Sequence, residues 1–236
     1  VRAAPRDPDD VISQPPDPGD LLADELGADR RELVAFVGAG GKTTLLRALG
    51  AALERRGRHV VLTTTTRVGI AEMADRPGFW SVGEADGKLV GPPPEEVDAV
   101  FSSGAFDAIL VEADGARRML VKAPAKYEPV IPSSSTLVVA VFPEAALSVP
   151  IEHAAHRPEL VAAVVGCGTD GRMTPARAAR LIGGPAGYRK AVPPDARFLA
   201  AILRTTRTPS PVARDLVVRL RTRGIRTREL RVPTPA

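Results

Sequence analysis

Cysteine is nearly missing from this chain. Cys167 stands alone among 236 residues, which excludes an internal disulfide and any cysteine-rich metal cluster. It reads as a small side chain in a turn. No apolar run approaches the ~20 residues a membrane-spanning helix requires. The opening stretch VRAAPRDPDDVISQPPDPGD lacks the apolar segment of a secretory signal. A cytoplasmic address is therefore expected, and no membrane partner. Lysine is scarce too: only Lys42, Lys88, Lys122, Lys126 and Lys190 among 32 basic residues. In a chain that uses arginine so freely, those five positions call for inspection.

What is present suits a soluble α/β domain. A hydrophobic content of 44% over 236 residues suffices for one sizeable core with a small annex. Leu33–Val37 is a short continuous apolar run, the pattern of a strand buried on both faces of a parallel sheet. It runs into Gly38-Ala39-Gly40-Gly41, and a helix pattern begins near Lys42, with Leu45, Leu46, Leu49, Ala52 and Leu53 on one face. A glycine turn feeding a helix N-terminus offers free N–H groups and a positive dipole end to phosphate. The amides of Gly38–Thr44, Ala39 included, would cradle it, Lys42 would reach the terminal phosphates and the Thr43 hydroxyl would bind Mg²⁺.

The long form of a phosphate loop places a glycine at the position of Phe36. The compact form Gly38-x-x-Gly41-Lys42-Thr43 remains, as in the amide-ligase ATPases. A dinucleotide fingerprint fits less well: Thr43 stands where glycine or alanine is needed, and the next strand ends in Thr63–Thr66 rather than an acid.

Two further strand ends carry polar residues. His59–Thr63 predicts a strand ending in the threonine run, beside the phosphate turn if the sheet is parallel. Thr65 and Thr66 are candidate catalytic residues for positioning water or the γ-phosphate, and Arg67 would face phosphate charge. Asp107–Val111 predicts another strand, followed by Glu112 and Asp114, which share a side if the strand continues. Asp114 would hold Mg²⁺ with Thr43, while Glu112 would join Lys42 in catalysis. The Pro-punctuated segment Ala116–Pro132 is too long for a simple connection. There Lys122 and Lys126 would contact an anionic ligand, with Glu128 pairing one of them. His153 and His156 have no third ligand and read as cap or surface residues.

The remaining pattern alternates strands and helices. Residues 1–20 read as a flexible tail and Leu21–Leu26 as a short lead-in helix. Residues 21–231 form a single domain, and 232–236 a second tail. Phe79–Val82 and Lys88–Val90 flank a hairpin-like turn in a small β insert near 70–100. Later elements are a strand at Thr136–Val141, helices from Pro158 and Pro175, a strand at Arg197–Leu203, a helix at Pro211–Arg221 and a strand at Ile225–Leu230. The fold expected is α/β, a mostly parallel sheet flanked by helices, P-loop NTPase-like.

Several motifs together carry a family resemblance: VGAGGKTTLL (Val37–Leu46), TTTTRV (Thr63–Val68), ILVEADGA (Ile109–Ala116), LVKAPAKYEPVIP (Leu120–Pro132), HRPEL (His156–Leu160) and the MTP…GYRKAVP region (Met173–Pro193). The chain resembles the YqeC-like family of selenium-dependent hydroxylase accessory proteins over roughly residues 33–193. LVKAPAKYEPVIP is its most specific part, since generic phosphate-loop proteins have nothing like it. The resemblance implies a role in maturing a molybdenum hydroxylase, with that enzyme or its cofactor-maturation proteins as partners and the molybdenum cofactor as a ligand. Members tend to carry an Asn-Lys/Gln-x-Asp-like segment after the late strand. Here Ile202–Thr208 has neither Asn nor Asp, so guanine selectivity does not carry over.

The function expected is Mg²⁺-dependent binding, with hydrolysis, of ATP or GTP. A non-hydrolysing binding protein for a phosphorylated cofactor is the alternative. Residues 197–231 hold ten arginines against Asp215 and Glu229, which opens a third reading as a nucleic-acid site. With one aromatic, Phe198, and no recognised motif, a solvated basic face explains that stretch better, and nucleic acid is not an expected partner.

Overall fold

A computed structural model describes residues 16–26, 30–73 and 78–232. Helix α1 (Pro18–Ala23) opens the described chain. It starts three residues before Leu21 because Asp17 caps it, accepting from the Gly19 and Asp20 amides, with proline in its first turn. Pro18 and Gly19 are buried, so the expected tail shortens at this end, while residues 1–15 and 233–236 lie outside the described residues.

The next elements are β1 (Glu32–Gly38), α2 (Lys42–Arg55), β2 (Val60–Thr64), β3 (Arg67–Gly69), α3 (Ile70–Met73), β4 (Gly83–Ala85), β5 (Lys88–Val90), α4 (Pro94–Ser103) and β6 (Ala108–Glu112). After them come β7 (Val121–Lys122), β8 (Leu137–Pro143), α5 (Ile151–Ala154), β9 (Ala155–His156), α6 (Pro158–Val165), α7 (Pro175–Gly183), β10 (Arg197–Arg204), α8 (Pro211–Thr222) and β11 (Arg226–Arg231).

Six strands form one sheet in the order β11-β10-β8-β1-β6-β2, every pair parallel. Helical crossovers cover both faces, so the inner strands are apolar throughout. Alternate residues serve opposite faces. Val34, Phe36, Leu110, Val139 and Val141 pack with Leu45, Leu46 and Leu49 of α2. Ala35, Val37, Val138, Ala140 and Phe142 face the other way, toward Leu181 and Ile182 of α7 and Leu216 and Leu220 of α8. Toward the β2 edge, Ile109 and Val111 meet Val97 of α4. The fold class is the α/β class expected.

The insert is a small antiparallel sheet, β3-β5-β4. Asp86 and Gly87 both take left-handed conformations (φ 51° and 67°), as a two-residue hairpin turn requires. The outer strand is Gly83–Ala85 rather than Phe79–Val82. Trp80 is held elsewhere: its amide donates to the Leu62 carbonyl, and its own carbonyl accepts from the Thr63 hydroxyl at 2.7 Å. That draws the segment onto the edge of β2.

With β1 central and β6 and β8 on either side, the carboxyl ends of all three strands meet at the turn before α2. In open parallel sheets, ligands sit outside such strand ends.

Candidate functional site

Residues 38–41 form the turn. Gly38, Gly40 and Gly41 have φ of 93°, 68° and 125°, and the space beside each is taken. A side chain at Gly38 would meet the Val141 carbonyl oxygen at 2.4 Å and the Tyr188 ring at 2.8 Å; one at Gly41 would meet Leu203 at 2.4 Å. Both conformation and crowding therefore demand glycine. No side chain caps α2, and its first backbone bond runs from Leu45 to the Gly41 carbonyl. Two amides of the expected cradle are already taken, Gly38 donating to Asp114 and Ala39 to the Val141 carbonyl at 3.2 Å, so only those of residues 40–44 are left for an external acceptor.

Lys42 lies at the floor of this turn, 4% exposed. Its Nζ donates to the Gly38 carbonyl at 2.7 Å and sits 3.1 Å from Asp114 Oδ1 and 3.9 Å from Glu112 Oε1. Burial works against its charge, but Asp114 and Glu112 outweigh burial and hold the ammonium above the ordinary lysine value.

The two carboxylates make different contacts. Thr43 Oγ1 donates to Glu112 Oε2 at 2.7 Å, so Glu112, not Asp114, meets the hydroxyl. Asp114 lies deeper. Its Oδ2 accepts from the Gly38 amide at 3.3 Å and stands 3.5 Å from Lys122 Nζ, while Oδ1 faces Lys42. The physical reason is that β6 ends at Glu112; past that residue strand alternation no longer fixes direction, and the backbone turns Asp114 under the glycine turn. Burial pushes the Glu112 carboxyl above the usual range, with Lys42 and the Thr43 bond opposing. A hydroxyl and a carboxylate on adjacent elements are hard oxygen donors that fit Mg²⁺, which takes one or two protein oxygens and completes its shell with water and phosphate. Among the described residues no group of three or more His, Cys, Asp or Glu side chains is placed to hold a metal ion.

The threonine run is mostly structural. Thr63 and Thr64 are buried, their hydroxyls donating to the carbonyls of Trp80 and Glu112 at 2.7 Å each. The Thr65 hydroxyl donates to the Val130 carbonyl at 2.6 Å. Thr66, whose hydroxyl lies 3.0 Å from that of Thr64, lines the cleft described below, as Thr65 does not.

Neither loop lysine lines the cleft described below. Lys122 is fully buried; its Nζ donates to the Gly115 carbonyl at 2.7 Å and to Glu128 Oε2 at 2.9 Å. The expected pairing with Glu128 is present, but it consumes the lysine. Pairing of β7 with β9 carries Lys122 inward. Lys126 is exposed on the wall of a separate pocket with Pro124, Leu160 and Lys190.

The turn opens into a cleft of about 1810 Å³. One lobe, at the carboxyl ends of β8 and β10, is lined by Pro143, Glu144, Leu203, Val212 and Val232. The other is cationic: Arg67, Lys88, Arg117, Arg118, His156 and Arg157 line it. Sequence reasoning proposed Arg67 alone from that set. The Arg117-Arg118 pair shortly after Gly115 was an available signal; His156, read as a cap or surface residue, and Arg157 had none locally. Burial first, then Arg157, Lys122 and Arg117, hold the His156 imidazole below its ordinary value, so it is neutral at pH 7. Tyr188, also unanticipated, is buried against Gly38, and burial raises its phenol above the ordinary value.

Four of the ten arginines in the C-terminal stretch meet acidic partners among the described residues. Arg197 pairs with Glu32 at 2.5 Å, Arg226 and Arg228 with buried Glu25, and Arg219 with Asp215 at 3.0 Å. Among the described residues no helix is long and apolar enough to cross a membrane.

Comparison with known proteins places these motifs in context. The family model described as YqeC protein matches residues 34–79 and 70–159. The chain is 33% identical over 223 residues to the uncharacterized protein YqeC of Escherichia coli (strain K12), covering 84% of this chain and 86% of that protein. Among solved structures, FlhF complexed with GMPPNP and Mg²⁺ aligns at a TM-score of 0.47 and 14% identity over 92% of this chain and 74% of that one. The BceF tyrosine kinase domain aligns at 0.31, also at 14% identity and the same coverages. At those scores neither structure bears on function.

Proposed function

The chain belongs to the YqeC family, and from that premise we propose that it is a Mg²⁺-dependent nucleoside-triphosphate-binding and hydrolysing accessory factor. One observation carries the reading: a glycine turn with an uncapped helix N-terminus, a buried charged lysine at its floor and a Thr43–Glu112 pair at its mouth. The helix amides and Lys42 would bind the β- and γ-phosphates. Phosphate oxygens would draw the ammonium off the Gly38 carbonyl and Asp114. Thr43 and Glu112 would hold Mg²⁺, which when bound neutralises charge on the β- and γ-oxygens. Thr66, on the cleft wall, would orient water. In this scheme Asp114 positions Lys42 rather than holding metal. The family resemblance supports the physiological setting, maturation of a selenium-dependent molybdenum hydroxylase or handling of its molybdenum cofactor.

Calorimetric titration of Mg²⁺–ATP and Mg²⁺–GTP into the wild type and Lys42→Ala tests the reading. The wild type should bind at least one of them and the variant neither. Equal affinity in both proteins would remove Lys42 from the site and the proposal with it. Phosphate release by the wild type separates hydrolysis from simple binding.

A further inference from the structure

The cleft exceeds the roughly 300–1,000 Å³ of ordinary small-molecule sites, and its cationic lobe is built from segments far apart in sequence. Arg67 opens β3 and Lys88 opens β5 of the insert, Arg117 and Arg118 follow β6, and Arg157 follows β9. Some of this charge is balanced: Arg67 meets Asp86 at 2.7 Å, Arg118 meets Glu72 at 3.4 Å and Arg157 meets Glu128 at 3.1 Å. Glu128 is already shared with Lys122. Arg117 and Lys88, both exposed, have no acidic partner among the described residues, so the lobe carries a surplus of positive charge.

The backbone adds an independent sign. Arg117, Arg118 and Arg157 all have positive φ (47°, 60° and 58°), a conformation in which glycine is favoured and a long side chain is not. Glycine would relieve the turn at 117 and 118, yet arginine occupies both. Their guanidinium groups suit forked recognition of phosphate or carboxylate. Neutral His156 stands among them as an additional donor or acceptor.

We propose that this lobe is a second subsite, taking a phosphorylated small molecule beside the nucleotide, with Arg117, Arg118 and Arg157 on its phosphate. The proposal rests on the nucleotide reading for the occupant of the phosphate turn and goes beyond it in giving the protein a second ligand.

Inorganic pyrophosphate is the probe, titrated calorimetrically into full-length protein saturated with a non-hydrolysable Mg²⁺–nucleotide analogue. One further equivalent should bind. In Arg117→Gly that affinity should fall at least tenfold, with nucleotide affinity unchanged and the thermal midpoint equal to or above that of the wild type, because glycine fits φ 47°. Arg118→Gly should behave likewise. No pyrophosphate binding once the turn is filled, or undiminished binding in both variants, overturns the subsite and leaves the nucleotide reading intact. If the wild type binds no nucleotide, the titration is run with pyrophosphate alone. Retained sensitivity to Arg117→Gly but not Lys42→Ala then supports the subsite while the nucleotide reading fails; sensitivity to Lys42→Ala alone overturns it.

Discussion

Glu144 illustrates how much one atom can say. Its Oε1 accepts from the Ser210 amide at 2.8 Å, while Oε2 is buried without a hydrogen-bond partner, in the lobe opposite the arginines. A buried carboxylate oxygen left unsatisfied is costly, and a nucleobase amino or imino group entering between Leu203, Val212 and Val232 would satisfy it. Glu144→Ala should therefore weaken nucleoside-triphosphate binding about tenfold, the worth of one charge-assisted bond of roughly 1.5 kcal/mol. Affinity for inorganic tripolyphosphate, which has no base, should stay unchanged. Equal losses for both ligands, measured by calorimetry, would show that the substitution disturbs the cleft as a whole and would remove Glu144 from base recognition.

At the level of elements, the pairing of β7 with β9 decides the fate of Lys122. Two residues of strand suffice to bury its ammonium between Asp114 and Glu128. Removing one partner of a buried ion pair leaves the other charge uncompensated and costs about 3–5 kcal/mol. Lys122→Met should lower the thermal midpoint by roughly 6–20 °C for a chain of this size. A calorimetric scan showing an unchanged midpoint alongside lost anion binding would restore Lys122 to the ligand role suggested by its motif.

Across the whole molecule, two buried carboxylates respond to pH with opposite sign. Glu128 is held below the usual carboxylate range: burial opposes the shift, but the Lys122 and Ala125 bonds and the nearby cations prevail. It contributes stability above its unfolded value that is lost as pH falls through the lower, folded value. Glu112 is held above the usual range by burial. Its contribution is complete below its unfolded value and is lost as pH rises through the raised folded value. Thermal melts from acid to neutral pH should show Glu128→Gln with a flatter acid limb than the wild type. Glu112→Gln should gain on the wild type as pH rises. Parallel curves for all three proteins would contradict both assignments.

The glycine turn was legible from residues 33–49 because everything it needs is local: an apolar strand, glycines that alone tolerate the turn, and a helix whose free amides follow from backbone geometry. The parallel sheet followed from alternating strands and helices in the same way. Tertiary structure alone decided which carboxylate meets Thr43, that Lys122 is sealed in an ion pair, and that Arg117 and Arg157 share one cleft. Those outcomes depend on where β6 stops pairing with its neighbours and on which distant segments β7 and β9 join. Local periodicity ends where the strand ends, so beyond Glu112 the sequence still named the charges but no longer fixed where they point.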